Sequence, residues 1–211
     1  HERSPFVWAG AIAALLLAGC GQYVRYDGEA PQAPAPTAPG ATRAELEQVT
    51  RLEHRALADL IASFTVRDED GQVLVDYLAW EADPEARYQL EAYLGLLAGV
   101  DPSGLEGPDE RLAYWINGYN AGVIQGVLER FERDLSFRVI DSPQFFGGRR
   151  YTFGGLVISL DQLEHLAMRG QFENPDYTAG LRQEELDQLR AWHEELWPDG
   201  EVDARLHAAV N

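Results

Sequence analysis

The chain has 211 residues, of which 45% are hydrophobic and five are Trp, and this is enough apolar material for one sizeable domain. Its formal net charge of −18 argues against a nucleic-acid partner, because nucleic-acid binding needs cationic groups that displace phosphate counterions. The same charge disfavours electrostatic binding to an anionic membrane surface.

An apolar run near the N-terminus predicts a signal peptide. The run from Phe6 to Leu17 follows the basic residue Arg3 and leads into small residues and Cys20. It is too short for a comfortable transmembrane helix. Leu17-Ala18-Gly19-Cys20 looks like a bacterial lipobox, in which the Cys is acylated and becomes the mature N-terminus. The competing interpretation is a buried apolar helix with an incidental Cys.

We therefore predict a lipoprotein signal peptide over 1–19 and a lipid anchor, with palmitate, at Cys20 that contacts the lipid bilayer. The residue after Cys20 is Gly21 rather than Asp, so retention at an inner membrane is not signalled. The expected location is the bacterial cell envelope, at the outer membrane and facing the periplasm. Because Cys20 is the single Cys of the sequence, its acylation leaves no second thiol for a disulfide.

A Pro/Ala-rich segment separates this anchor from the folded part. Residues 28–41 are nearly uncharged, and their prolines favour extended conformations over a packed core. We predict that residues 20–41 form a tether. The domain then covers residues 42–211, and we expect it to be incomplete at its C-terminus.

The first predicted elements of the domain are a helix and a short strand. Thr42 and Glu45 form a capping-box pattern, and apolar residues then recur at helical spacing to Phe64. His54 lies off this apolar stripe, so we predict a solvated side chain. A short strand is predicted from Gln72 to Tyr77.

Two longer helices follow. One begins at Asp83-Pro84 and runs to about Leu97, and the next begins at Pro108 and runs to about Phe131. The second helix is largely uncharged, which is typical of a buried central helix. Three glycines four residues apart are predicted to line one of its sides and to permit close backbone approach: Gly118, Gly122 and Gly126.

The C-terminal half of the sequence mixes strands and helices. The predicted elements are a strand at Phe137–Asp141, a hairpin at Arg150–Ile158 with its turn at Gly154-Gly155, a helix capped by Ser159 and Gln162 that runs to about Met168, an amphipathic helix at Gln183–Trp197 and a strand at Ala204–Val210. Since no regular βαβ repeat is present, we predict an α+β fold, a single domain with a buried central helix packed against a small, mostly antiparallel sheet.

Asn117 and Asn120 are the conspicuous polar residues of the predicted central helix. A buried amide needs hydrogen-bond partners. One interpretation is that both amides lock neighbouring backbone in place, and the residues alone favour it. The other is that one amide faces a cleft and orients a substrate or a catalytic imidazole.

The histidines offer further candidates. His165 lies beside Glu164 in the helix capped by Ser159 and has the chemistry of a general base or a metal ligand, although an ordinary surface role is also open. His207 belongs to the predicted apolar terminal strand, either as a satisfied core residue or as a functional one. His193 is assigned to solvent. The sequence has no phosphate loop, no close metal-ligand spacing and no nucleophile elbow, so we predict no cofactor and no metal.

Several segments resemble the domain-of-unknown-function family 547. Its signature is a Trp-Ile-Asn-x-Tyr-Asn-Ala helix, which matches Trp115-Ile116-Asn117-Gly118-Tyr119-Asn120-Ala121. The other matching segments are Val75-Asp76-Tyr77, Leu90-x-x-Tyr93-Leu94 and Ile158-Ser159-Leu160-Asp161-x-x-Glu164-His165. The resemblance runs from about Val75 to the end of the sequence.

The resemblance also implies a chemistry. Arg205 to Asn211 fits a segment that ends in Cys in the family, so the thiol would come directly after Asn211, and Ala208 replaces the usual Phe. That thiol, an imidazole from His165 or His207 and an amide from Asn117 or Asn120 would form a thiol–imidazole–amide arrangement. The implied activity is hydrolysis of peptide or amide bonds in the envelope.

Two other functions stay open at this point. One is a non-catalytic binding or scaffolding lipoprotein with a protein or peptidoglycan-associated partner, in which both Asn side chains are structural. The other is a metal-dependent enzyme that uses His165, His207 and the thiols implied after Asn211.

Overall fold

The structure is a computed structural model that describes residues 54–69, 73–148, 150–204 and 206–210. The signal peptide, Cys20, the tether and the capping box at Thr42 lie outside the described residues, so they stay predictions. Within the described ranges, no helix is both long enough and apolar enough to cross a membrane.

The N-terminal part consists of a helix, a hairpin and a short helix. Residues 54–63 are helical (α1), and strands β1 (Thr65–Arg67) and β2 (Val73–Val75) pair antiparallel. Helix α2 (Tyr77–Glu81) begins at once, because the Asp76 side chain accepts a hydrogen bond from the Ala79 N–H and caps it. The predicted strand is therefore confirmed but ends before Tyr77.

Two helices then build most of the core. Helix α3 (Pro84–Gly99) starts with the predicted cap, since Asp83 accepts hydrogen bonds from the N–H groups of Glu85 and Ala86. A 3₁₀ turn at Pro102–Gly104 leads to α4 (Pro108–Phe131). Every residue of α4 from Tyr114 to Leu128 is buried, which confirms the predicted central helix.

The glycines of α4 allow other elements to approach its backbone closely. A Cβ atom on Gly118 would lie 2.8 Å from the Phe153 ring, and one on Gly122 would lie 2.8 Å from the Leu160 side chain. A Cβ on Gly126 would lie 3.0 Å from the Phe145 ring. The prediction that these glycines line one packed side is confirmed.

The segment after α4 differs from the prediction. Residues Val139–Asp141 form a 3₁₀ turn, in which the Asp141 N–H donates to the Arg138 carbonyl, and the predicted strand at Phe137–Asp141 is wrong. Phe137 alone is buried there, whereas Ile140 is exposed, so the segment has one core contact and no pairing partner in the described sheets. A four-residue helix, α5 (Phe145–Gly148), follows.

The predicted hairpin is confirmed. Strands β3 (Arg150–Phe153) and β4 (Leu156–Ser159) pair antiparallel, with Tyr151 opposite Ile158. Gly154 and Gly155 form the turn with φ of 57° and 83°, a conformation that residues with a Cβ rarely adopt.

The remaining elements are helical. They are α6 (Leu160–Gln162), a π-helix (Leu163–Met168) that continues it, α7 (Pro175–Thr178), α8 (Gln183–Leu196) and α9 (Leu206–Val210). The predicted strand at Ala204–Val210 is wrong. Its buried residues Leu206, Ala209 and Val210 are spaced as on one side of a helix, and that side packs against α4.

The architecture is α+β, as predicted. Helix α4 is the centre, and α2, α3, the π-helix, α8 and α9 all pack against it. The strands form two separate antiparallel pairs, and the β3–β4 pair packs on α3 beside the glycine side of α4.

Candidate functional site

The candidate site is built on the helix that follows β4. The Ser159 hydroxyl accepts a hydrogen bond from the Gln162 N–H, and the Gln162 side chain accepts one from the Ser159 N–H. This is the predicted capping box. One turn later the helix widens into the π-helix, where the Arg169 N–H donates to the Glu164 carbonyl at 3.0 Å. Such widened turns occur frequently at functional sites.

Helix α8 holds the end of the π-helix. The His193 Nδ1–H donates to the Ala167 carbonyl at 3.2 Å, and the Trp197 Nε1–H donates to the Met168 carbonyl at 2.7 Å. These carbonyls lie at a helix end, where partners within the helix run out. His193 of α8 and Trp197, which directly follows α8, therefore bind two carbonyls at the end of the π-helix.

His193 is consequently not the solvated residue that the sequence predicted. It is partly buried, and this burial lowers its pKa below the usual value despite the opposing hydrogen bond to Ala167. Gly170 has a φ of 66°, and a Cβ on it would collide with the His193 ring. The missing side chain at Gly170 is what lets the imidazole pack here.

His54 also differs from its predicted solvated position. Its Nδ1 atom lies 2.7 Å from the Tyr93 hydroxyl, and the side chain is partly buried. Desolvation by burial lowers the pKa of His54 to about 4. His54 and His193 were both predicted to be solvated, and both are partly buried because neighbouring elements of the fold cover them.

His165 is held in place by two neighbours. Its Nδ1 atom lies 3.0 Å from the Gln171 Oε1 atom, and its ring stacks on the Tyr177 ring with centroids 3.8 Å apart and an interplanar angle of 6°. The Gln171 backbone N–H also donates to the His165 carbonyl at 2.8 Å. Gln171 therefore contacts both the main chain and the imidazole of His165.

This contact favours one tautomer of the neutral His165 ring. An amide oxygen only accepts hydrogen bonds, so Nδ1 carries the proton and Nε2 keeps its lone pair. Nε2 makes no hydrogen bond within the described ranges, and the side chain is partly exposed. An oriented imidazole with a free acceptor nitrogen has the arrangement of a general base.

Glu164, the residue before His165, belongs to a bonded group of its own. Glu164 is buried, and its Oε1 atom lies 2.9 Å from the Arg169 guanidinium. Burial raises the pKa of Tyr119, and the charge of Glu164 and the hydrogen bond to it raise it further. Tyr119, Glu164 and Arg169 thus form one bonded group, which we call the Tyr119 network.

Asp161 lies one turn before His165 and is partly buried. Burial raises its pKa, the nearby His165 opposes this rise, and the charge of Glu164 adds to it. Its Oδ2 atom lies 2.8 Å from the position that a Cβ on Gly147 would occupy.

No hydrogen bond among the described residues joins the amides predicted on the central helix to His165. Asn117 and Asn120 are both buried, with Asn120 only 1% exposed. Among the residues that the structure describes, neither amide atom of Asn120 has a hydrogen-bond partner, so nothing there joins it to His165 or His207. At about 100° per residue, Asn120 is on nearly the opposite side of α4 from Gly118 and Gly122.

His207 is exposed on α9, not buried in a strand as one of the two predicted interpretations had it. Helix α4 contacts both α9 and the π-helix, so it connects the elements that carry the two histidines. The amide that orients an imidazole is Gln171, which sequence reasoning missed. The available signal was Gly170, because a glycine after a helix predicts a reversal that returns the next residue to it.

In the part of the chain that the structure describes, no group of three or more His, Cys, Asp and Glu side chains is arranged to hold a metal ion.

The chain's similarity to known proteins is found at the family level. A family model described as "Protein of unknown function, DUF547" matches residues 102–211. This range contains α4, the β3–β4 hairpin, the π-helix, α8 and α9. The comparison with curated proteins finds no match, and the comparison with solved structures finds none.

Proposed function

We propose that this chain, which belongs to the DUF547 family, is a lipid-anchored protein of the bacterial envelope whose domain hydrolyses peptide or amide bonds. In this proposal His165 is the general base and a cysteine thiol is the nucleophile. The observation that carries it is the contact between His165 Nδ1 and the Gln171 Oε1 atom, which leaves Nε2 as a free acceptor.

The reaction would follow the order of other thiol hydrolases. Nε2 of His165 takes the thiol proton, and the thiolate attacks the carbonyl carbon of the substrate amide. The imidazolium then returns the proton to the leaving amine, and a thioester remains. Water, deprotonated by the same Nε2 atom, hydrolyses the thioester, releases the acid and regenerates the thiol.

The parts of this proposal rest on different grounds. The structure supplies the oriented imidazole, whereas the thiol after Asn211 is implied by the family resemblance alone. Cys20 is assigned to lipid, so it does not serve as the nucleophile. Roles for His207, Asn117 and Asn120 in the reaction stay predictions.

Thiol labelling of the full-length gene product tests the chemistry. In a Cys20→Ser background, iodoacetamide should label a second thiol faster at pH 7 than it labels a free cysteine, because a paired imidazole favours the thiolate. His165→Gln should slow this labelling by about tenfold or more. A second thiol that is absent, or that reacts at the same rate in both proteins, would overturn the proposal and favour a binding or scaffolding lipoprotein.

The anchor is tested separately in bacterial cells. With radioactive palmitate in the medium, the wild-type protein should carry label and sediment with the outer-membrane fraction. Cys20→Ser should abolish both the label and the sedimentation. A wild-type protein that stays unlabelled and remains in the soluble periplasmic fraction would contradict the lipoprotein assignment.

A further inference from the structure

The π-helix turn that carries His165 is bonded twice between the same two residues. The Arg169 N–H donates to the Glu164 carbonyl at 3.0 Å, which is an i→i+5 hydrogen bond in place of the i→i+4 bond of an α-helix. The Arg169 side chain also binds the Glu164 carboxylate, since its Nε and Nη2 atoms both lie 2.9 Å from Oε1. Main chain and side chains therefore bridge the same interval of the sequence.

This ion pair favours one register of the helix. In an α-helix, residues i and i+5 are about 140° apart around the axis, and the residues that face each other are i and i+3 or i+4. In a π-turn, residue i+5 takes the place that i+4 has in an α-helix, because it donates the equivalent backbone hydrogen bond. Glu164 and Arg169 face each other in the π register, so their ion pair stabilises it relative to the α register.

The ion pair is largely shielded from water and is supported from the central helix. The Arg169 and Glu164 side chains are 21% and 10% exposed. The Tyr119 hydroxyl of α4 donates a hydrogen bond to the same carboxylate. Separation of a buried ion pair costs more free energy than separation of a solvent-exposed one. The preference for the π register is therefore stronger than an ion pair on the surface could give.

The register decides which residue reaches the imidazole. The Gln171 N–H donates to the His165 carbonyl at 2.8 Å, an i→i+6 bond. The corresponding bond of a Schellman helix end is i→i+5, so the π-turn provides the extra residue. With an α register from Glu164 onward, the following residues would be rotated by about 100°, which would carry the Gln171 amide away from Nδ1 of His165.

We propose that Arg169 is a positioning residue of the His165 site. Its ion pair with Glu164 holds the π register, and the π register brings the Gln171 amide to the imidazole. The inference goes beyond the proposed function by assigning a role to a residue that does not take part in the reaction. It rests on that function only for the use of the oriented imidazole, and the register itself requires no thiol.

Two NMR measurements on the full-length protein test this inference. Scalar coupling across a hydrogen bond identifies the carbonyl that accepts from each backbone N–H, and nitrogen-15 shifts of the neutral His165 ring give the ratio of its Nδ1–H to its Nε2–H tautomer. In the wild type, the Arg169 N–H should couple to the Glu164 carbonyl. In Arg169→Met, the Met168 N–H should couple to it instead. The tautomer ratio should then fall by about fivefold, the effect of one ordinary hydrogen bond.

Two further variants separate positioning from a general loss of stability. Arg87 of α3 is a matched control, because its side chain is 22% exposed and lies 3.0 Å from the Glu81 carboxylate. Arg87→Met should lower stability and leave both NMR measurements unchanged. Arg169→Lys keeps a cation beside Glu164, so it should retain the wild-type coupling and tautomer ratio.

Tyr119→Phe carries the test if Arg169→Met does not fold. This variant removes only the hydroxyl that supports Glu164 and keeps the ring that stacks on Phe146. The tautomer ratio should fall in the same direction, by about twofold. An unchanged ratio in Tyr119→Phe would then overturn the inference.

The remaining outcomes keep this inference distinct from the proposed function. A wild-type Met168 N–H coupled to the Glu164 carbonyl overturns the inference. A folded Arg169→Met protein with the wild-type coupling and tautomer ratio does the same, and so does Arg169→Lys if it loses both. A protein without a reactive second thiol overturns the hydrolase, yet a register that depends on Arg169 would still establish the positioning role.

Discussion

Tyr119 and Asn120 are neighbours on the central helix, both buried and both polar, yet their surroundings differ completely. Tyr119 belongs to a bonded network with Glu164 and Arg169 on the π-helix side. Asn120 lies about 100° further around the helix, and neither of its amide atoms has a partner within the described ranges. Asn120 is the more conspicuous residue in the sequence, because it is an amide in an apolar helix. In the structure, however, the hydrogen-bonded polar network forms around Tyr119. A polar residue in an apolar helix therefore marks an unusual position without locating the site.

The largest expected effect comes from breaking the Tyr119 network. Arg169→Ala leaves the Glu164 carboxylate buried without its cation, so the free energy of unfolding should fall by about 3–5 kcal/mol in urea titrations. Arg182→Ala breaks solvent-screened ion pairs with Glu184 and Glu185, so its loss of stability should be much smaller. Equal losses in the two variants would mean that the network is not a buried one.

A second polar residue with a buried environment is His54, whose side chain contacts the Tyr93 hydroxyl. Its folded-state pKa is about 4, below the unfolded value of 6.5, so the unfolded chain binds the proton first as the pH falls. The free energy of unfolding is therefore unaffected by His54 above pH 6.5 and falls by about 3 kcal/mol as the pH falls through 4. His54→Gln should flatten this part of the stability profile, and a profile identical to the wild type would contradict the burial of His54.

The glycine side of α4 is closely packed against neighbouring side chains. Gly118→Ala places a methyl group 2.8 Å from the fully buried Phe153 ring, so we expect a loss of about 1–2 kcal/mol of stability in spite of the better helix propensity. Gly95→Ala in α3 meets no atom within 4 Å and should stabilise by about 0.5–1 kcal/mol. A Gly118→Ala protein as stable as Gly95→Ala would show that this side is loosely packed.

The smallest effect is expected at Asn120. Replacement of an unpartnered buried amide by an apolar group of the same size is nearly neutral or stabilising, so Asn120→Leu should change stability by less than about 1 kcal/mol. Thermal and urea unfolding measure this directly. A larger loss would mean that Asn120 has a hydrogen-bond partner, and the contrast with Tyr119 would disappear.

Local signals in the sequence were sufficient for much of the fold. The cap at Asp83, the capping box at Ser159 and the Gly154-Gly155 turn are decided within a few residues, and all three predictions are confirmed. The glycine spacing in α4 likewise predicts close approach without knowledge of the neighbour. The segment at 204–210 was assigned wrongly because five apolar and small residues fit a strand or a helix equally well.

The candidate site was less predictable because it depends on contacts between distant elements. His165 was a candidate from its chemistry, but the π-helix that carries it accepts hydrogen bonds from His193 of α8 and from Trp197, which directly follows α8. Gln171 orients the ring only after the chain reverses at Gly170. No periodicity in the sequence connects these residues.

The central claim is that Gln171 fixes the tautomer of His165 and leaves Nε2 free to accept a proton. Nitrogen-15 NMR of the His165 imidazole in the full-length protein measures this directly at a pH where the ring is neutral. We predict a proton on Nδ1 in the wild type and in the exposed-residue control Gln188→Ala, and a mixture of tautomers in Gln171→Ala. A wild-type ring with its proton on Nε2 would contradict the account.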